Sequence, residues 1–225
     1  MNQPTDAKLN DVLTRPEKML GKQKGTALVP LGRPPTLLDR VAARLSDIIS
    51  PPLVSLPVAL AVTRQEGISW RSAIGWAGLF WTGTGLLPLF YLFRLWLRGQ
   101  VTDIHVRVRQ QRLRPLAMTL VSMAGTLLAL ALVGAPLPLL RLGIAIWVQW
   151  ALLTLITFRW QISMHGAAMG TAATIFWSIQ GMGSWPVLTL VPIVGWARVR
   201  LRRHTKLQVA AGAALGALTT AWLAR

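Results

Sequence analysis

From about residue 50 onward the chain alternates apolar runs with short, mostly basic breaks. The runs fall near residues 51–63, 72–93, 116–134, 142–158, 166–183, 184–196 and 207–224. A helix needs roughly 17–25 mostly apolar residues to cross a bilayer. The pattern therefore predicts an all-α, polytopic helical membrane protein with six to seven transmembrane helices. The runs at 51–63 and 184–196 are the shortest, and both carry prolines. Upstream, Leu37, Leu38, Val41, Leu45, Ile48 and Ile49 recur at helical spacing, with Asp39, Arg40, Arg44 and Asp47 on the other side. That stretch predicts an amphipathic helix, either lying in the membrane interface or packed on the protein's own loops. Residues 1–35 are polar, basic and rich in Pro and Gly, the composition of a flexible tail. The expected organisation is a tail over 1–35, an interfacial helix over 36–49 and a membrane domain over 50–225. Gly166-x-x-x-Gly170 and Gly212-x-x-x-Gly216 would let the fifth and seventh helices approach closely.

Composition agrees with this pattern: 53% of residues are hydrophobic and 14% charged, a balance of helical membrane proteins rather than soluble domains. The formal charge of +17 raises nucleic acid as a partner. Its distribution argues against one, because the cations sit in the tail and at run ends, and the tail has no aromatic residue for base stacking. No removable signal peptide is apparent, and Asp6, Asp11 and Glu17 are foreign to a transit peptide. Seven spans place the amino terminus and loops 94–115, 159–165 and 197–206 on one face. Twenty of the 24 Lys and Arg lie there; Arg64, Arg71, Arg141 and Arg225 lie on the other. The positive-inside rule puts the three loops in the cytoplasm of an inner or plasma membrane. All seven carboxylates lie at or before Asp103. Magnesium sites need carboxylate oxygens, so neither a metal nor any other cofactor is expected.

The three loops hold all three histidines, His105, His165 and His204, each beside arginines or a helix start. His105 is read as a loop or interface residue. Three segments then fall in order: Arg107-x6-Arg114-Pro115, Ile162-Ser163-Met164-His165, and Ala197-Arg198-x5-His204-x3-Gln208. Over roughly residues 95–220 this set resembles the type 2 phosphatidic acid phosphatase superfamily, whose motifs are K-x6-R-P, P-S-G-H and S-R-x5-H-x3-D. The resemblance implies a membrane phosphatase acting on phosphatidic acid or on prenyl mono- or diphosphates. His204 would be the nucleophile, forming a phosphohistidine, and His165 the acid and base. Arg107, Arg114 and Arg198 would cage the phosphate, assisted by Ser163 and the helix start it caps.

The chain departs from the family at Arg107, Ile162, Met164 and Gln208. The last is the largest departure, because the family carboxylate that supports the nucleophile is here an amide. Gln208 lies four residues after His204, on the same helix face. Its carbonyl can fix the ring tautomer without supplying a negative charge, and Asp103 is the nearest carboxylate in sequence that could take over. These departures motivate an alternative, a catalytically weak or inactive homologue that binds anionic lipid headgroups as a scaffold or transport protein. Substrate and bilayer are the expected partners in either case.

Overall fold

A computed structural model describes residues 36–102, 106 and 108–223, and these are all-helical, with no strand among them. The tail expected over 1–35 lies outside the described residues, as do Asp103, His105 and Arg107. Eight α-helices are present among the described residues: α1 (Leu37–Ile48), α2 (Pro51–Arg64), α3 (Trp70–Leu97), α4 (Leu113–Leu132), α5 (Leu137–Thr157), α6 (Met164–Gln180), α7 (Trp185–Arg200) and α8 (Lys206–Leu223). Within α3, Thr82–Leu86 forms a π-helical turn. Helices α3, α4 and α5 are long and apolar enough to cross a membrane, and the α1–α2 pair, bent by 48°, makes a fourth if it counts as one span. Helices α6, α7 and α8 have 17, 16 and 18 residues and do not meet that standard. Three to four candidate spans thus stand where the apolar runs alone predict six to seven.

The amphipathic helix is present as α1. Thr36 and Asp39 form a capping box: the Thr36 hydroxyl accepts from the Asp39 N–H, and the Asp39 carboxylate accepts from the Thr36 N–H. Its buried stripe is small, Ala42 and Ser46, and packs on α7; Leu37, Leu38, Val41 and Ile48 are left exposed. Asp39 pairs with Arg200 Nε of α7 at 3.0 Å. At the start of α2, Pro51 and Pro52 sit in the first turn, where a missing N–H costs no helical hydrogen bond.

The main apolar core joins α2 to α6 around Phe80, Met123, Leu139 and Ile175. Beside it is a buried polar cluster. Gln149 Oε1 of α5 accepts from the hydroxyls of Thr171 on α6 and Thr219 on α8, and Thr220 bonds Thr171.

Helices α6 and α8 meet through glycines, as their spacing predicts. A Cβ on Gly170 would stand 2.1 Å from the Ala213 carbonyl oxygen, and one on Gly216 2.0 Å from that of Ala167. The two backbones are in direct contact, and only glycine allows it. This crossing fixes the starts of α6 and α8 side by side, and both candidate catalytic histidines sit at those starts.

One boundary differs from the sequence reading. The loop expected over 197–206 shrinks to 201–205, because α7 continues to Arg200. Arg198 and Arg200 occupy its last turn, where cations complement the helix dipole.

Candidate active site

Helix α7 ends in a Schellman-type turn. The Arg203 N–H donates to the Arg198 carbonyl at 3.0 Å and the Arg202 N–H to the Val199 carbonyl at 2.9 Å. Arg202 is in the left-handed region with φ 52°. Glycine usually fills that position, since a Cβ there costs about 1–2 kcal/mol. The turn folds the chain back and buries the His204 ring, which is 7% exposed.

Thr205 and Gln208 then open α8 as a second capping box. The Thr205 hydroxyl accepts from the Gln208 N–H at 3.2 Å, and Gln208 Oε1 accepts from the Thr205 N–H at 3.0 Å. The same Oε1 stands 3.3 Å from His204 Nδ1, and the Gln161 carbonyl oxygen stands 3.1 Å from it. Both partners of Nδ1 are acceptors, because the Thr205 N–H identifies the amide atom as oxygen. Nδ1 therefore carries the proton and Nε2 the lone pair. Burial above all, then the Arg198 and Arg112 guanidinium groups, pushes the His204 pKa down to about 3; the bonds to Gln161 and Gln208 oppose this. The ring is neutral at pH 7, the state a nucleophile needs.

At the start of α6, the buried Ser163 hydroxyl accepts from the Gly166 N–H at 3.2 Å and caps the helix. Its own N–H donates to the Gln208 carbonyl at 3.1 Å, tying the two helix starts together. His165 follows two residues later, as the second residue of α6. Its Nε2 is 3.0 Å from the Ser46 carbonyl oxygen of α1, and since a carbonyl only accepts, Nε2 is the donor. Arg198 is 4% exposed. Its Nη1 donates to Ser46 Oγ at 2.6 Å, while its buried Nε has no acceptor among the described residues. Arg112 is also buried, and its Nε donates to the Val106 carbonyl at 2.7 Å.

These groups line one end of a cavity of about 590 Å³. Ser46, Asp47, Arg112, His165, Arg198 and His204 form the polar end; Pro52, Leu53, Trp81, Leu89, Ile146 and Trp150 are among the residues of the apolar remainder. The π turn of α3 contributes Thr84 and Gly85 to the wall. Trp81 Nε1 donates to the Pro52 carbonyl at 2.6 Å, bracing that wall against α2.

Of the residues singled out in the sequence, His165, Arg198, His204 and Gln208 come together. Arg107 lies outside the described residues. Ser163 is spent on its helix cap and does not line the cavity. Arg114 is exposed and does not line the cavity, whereas the buried Arg112 does. The reason is helical geometry: Arg112 ends the 3₁₀ turn Arg109–Arg112 with its side chain turned in to Val106, and two residues on along a helix is about 200° around the axis. Sequence reasoning missed three participants, Arg112, Ser46 and Asp47. Ser46 and Asp47 come from α1, and nothing in the sequence joins them to residues more than a hundred positions away. The double duty of Gln208 had a visible signal, the Thr205-x-x-Gln208 capping pattern.

Among the described residues no three His, Asp or Glu side chains are grouped to hold a metal ion. Comparison with models of known families, with curated proteins and with solved structures gives no match.

Proposed function

We propose that this chain is an integral membrane phosphatase of lipid phosphates, with phosphatidic acid and prenyl mono- or diphosphates as the candidate substrate classes. One observation carries the reading: two histidines and two buried arginines converge at the polar end of a cavity whose other walls are mostly apolar. A phosphate on a hydrocarbon tail has the same division. The buried Arg198 Nε also supports it, because an unmatched buried donor costs about 1–3 kcal/mol and an anion would satisfy it.

In the proposed reaction His204 Nε2 attacks phosphorus. The P–N bond forms as the P–O bond to the lipid breaks, while His165 Nδ1 takes the proton of the monoanionic phosphate and passes it to the leaving oxygen. Water then attacks the phosphohistidine, His165 takes its proton, and inorganic phosphate leaves. Arg112 and Arg198, with Arg107 by its motif position, hold the equatorial oxygens. Gln208 and the Gln161 carbonyl hold the Nδ1 proton, which keeps the lone pair on the attacking nitrogen.

In the membrane reading, α2 to α8 supply the six to seven crossings, and the site opens at the cytoplasmic face, where the basic loops lie. The test is phosphate release from phosphatidic acid and farnesyl diphosphate in detergent without magnesium, which His204→Ala abolishes. Full activity in that variant would remove the nucleophile assignment.

The second reading is a headgroup-binding scaffold or transport protein, favoured by the amide where the family has a carboxylate. Failure of the whole substrate panel, with anionic lipid co-purifying with the protein, would select it.

A further inference from the structure

The interfacial helix α1 lines the proposed site with Ser46 and Asp47, and Ser46 touches two of its key groups. Ser46 is 1% exposed. Its hydroxyl oxygen accepts from Arg198 Nη1 at 2.6 Å, and its carbonyl oxygen accepts from His165 Nε2 at 3.0 Å. No sequence-local element could supply this, since Ser46 lies 152 residues from Arg198 and 119 from His165. Helix α1 is held in place by a second set of contacts about two to three turns away: Asp39 pairs with Arg200 Nε at 3.0 Å, and Arg200 Nη2 donates to the Thr36 hydroxyl at 3.1 Å. Arg198 and Arg200 leave the last turn of α7 in different directions, and both are met by α1.

We propose that Ser46 is a positioning residue: its side chain aims the Arg198 guanidinium at the phosphate, and its backbone carbonyl sets the ring of His165. The inference rests on the phosphatase reading for its turnover, but its anion-binding part does not. A guanidinium has five N–H donors and Ser46 Oγ takes one, leaving the others to a phosphate. Arg198 has three flexible methylenes; the Asp47 charge attracts its guanidinium without fixing a direction, and the directional bond to the Ser46 hydroxyl is what selects its rotamer. The carbonyl, accepting from Nε2, assigns proton exchange with substrate to Nδ1 of His165. Helix α1 is thereby a structural wall of the site, and its exposed apolar residues Leu37, Leu38, Val41 and Ile48 are the part that a bilayer surface would hold in position.

The two roles separate in one substitution. Ser46→Ala removes the hydroxyl and keeps the carbonyl, and alanine is a better helix former, so the fold is retained. Two measurements on the full chain in detergent test it: the affinity for inorganic phosphate, read as a phosphate-dependent rise in melting temperature, and the pH profile of phosphate release from phosphatidic acid. Losing a hydrogen bond that orients a charged group predicts about ten- to hundredfold weaker phosphate binding and a similar rise in KM. The pH profile stays where it is in wild type, because the His165 contact is untouched. Unchanged phosphate affinity in Ser46→Ala overturns the proposal, and so does a shifted pH profile accompanied by general loss of stability, which would mark Ser46 as a packing residue. Wild-type protein that binds phosphate but releases none from lipid leaves the binding test of Ser46 standing while removing the phosphatase reading. Wild-type protein that does neither removes both.

Discussion

Substituting Gly216 by alanine sets two effects of opposite sign against each other. On helix propensity alone the change stabilises by about 1 kcal/mol. In place, the new Cβ would stand 2.0 Å from the Ala167 carbonyl oxygen and 3.0 Å from the Thr171 nitrogen, and both are backbone atoms that cannot rotate away. Ordinary C···O contacts begin near about 3.3 Å. Helices α6 and α8 must therefore separate by roughly 1 Å along their crossing, and overpacking of this kind costs about 1–3 kcal/mol or more. The clash wins, and its consequence reaches the site. The Ser163–Gln208 backbone bond that joins the two helix starts lengthens, and His165 moves relative to His204. A misplacement of about 1 Å costs on the order of 100-fold in rate. Gly216→Ala is expected to unfold at lower denaturant in an SDS titration followed by helical circular dichroism, and to lose about two orders of magnitude in kcat/KM. Gly78→Ala is the control: no atom lies within 4 Å of its Cβ position, so it should be neutral or slightly stabilising and keep full activity. Equal stability and activity in Gly216→Ala and Gly78→Ala would refute the reasoning.

Acidification should destabilise the protein through His204. Its pKa is about 3 when folded and 6.5 when unfolded, so between those values the unfolded chain binds a proton that the folded chain does not. This contribution is complete above pH 6.5 and is lost as pH falls toward 3, at up to about 1.4 kcal/mol per pH unit; melting temperature against pH should be flatter in His204→Ala. Arg112→Ala should lower kcat/KM by about 10²-fold or more, as loss of a charge-stabilising donor does. Arg114→Ala, at an exposed position off the cavity, should leave kinetics near wild type, and the reverse order would restore the motif-based assignment. Gln208→Glu keeps the length of the side chain and its bond from the Thr205 N–H while adding a charge beside His204 Nδ1. It should raise the His204 pKa, measured by NMR, and raise kcat; a folded variant with an unmoved pKa would show that Gln208 serves the helix cap alone.

The helical class and the glycine crossing were legible because both are periodic properties of the chain. Apolar runs mark helices whatever surrounds them, and Gly166, Gly170, Gly212 and Gly216 sit one turn apart on single faces. Within the site, His204 and Gln208 were legible for the same reason, being local and four residues apart on α8. The position of Arg114 outside the cavity lining was not legible, because motif spacing says nothing of where a helix begins. The 3₁₀ turn before α4 sets which arginine turns inward, and it is fixed by the Arg112–Val106 contact. Ser46 was not legible at all, since its importance arises from a helix that docks through two small residues. The number of crossings was less legible for a further reason: α6 and α7 are short apolar helices rich in Gly, Ala and Pro, of 17 and 16 residues, which fall below the length that marks a span by itself.

The Gln149 cluster bears on how the protein comes to be made. Among apolar helices in lipid, one packing register differs little from the next, so a shared amide that accepts two hydroxyls can select a single alignment of α5, α6 and α8. Two of the three hydroxyl groups gathered around it, those of Thr219 and Thr220, belong to α8, which the ribosome delivers after α1 to α7. Until α8 packs, Gln149 and Thr171 lack these partners and the glycine face of α6 has no mate. The start of α6 therefore waits for α8 before its place beside His204 is fixed, and a nascent chain paused before residue 206 would hold the earlier helices without this polar cluster.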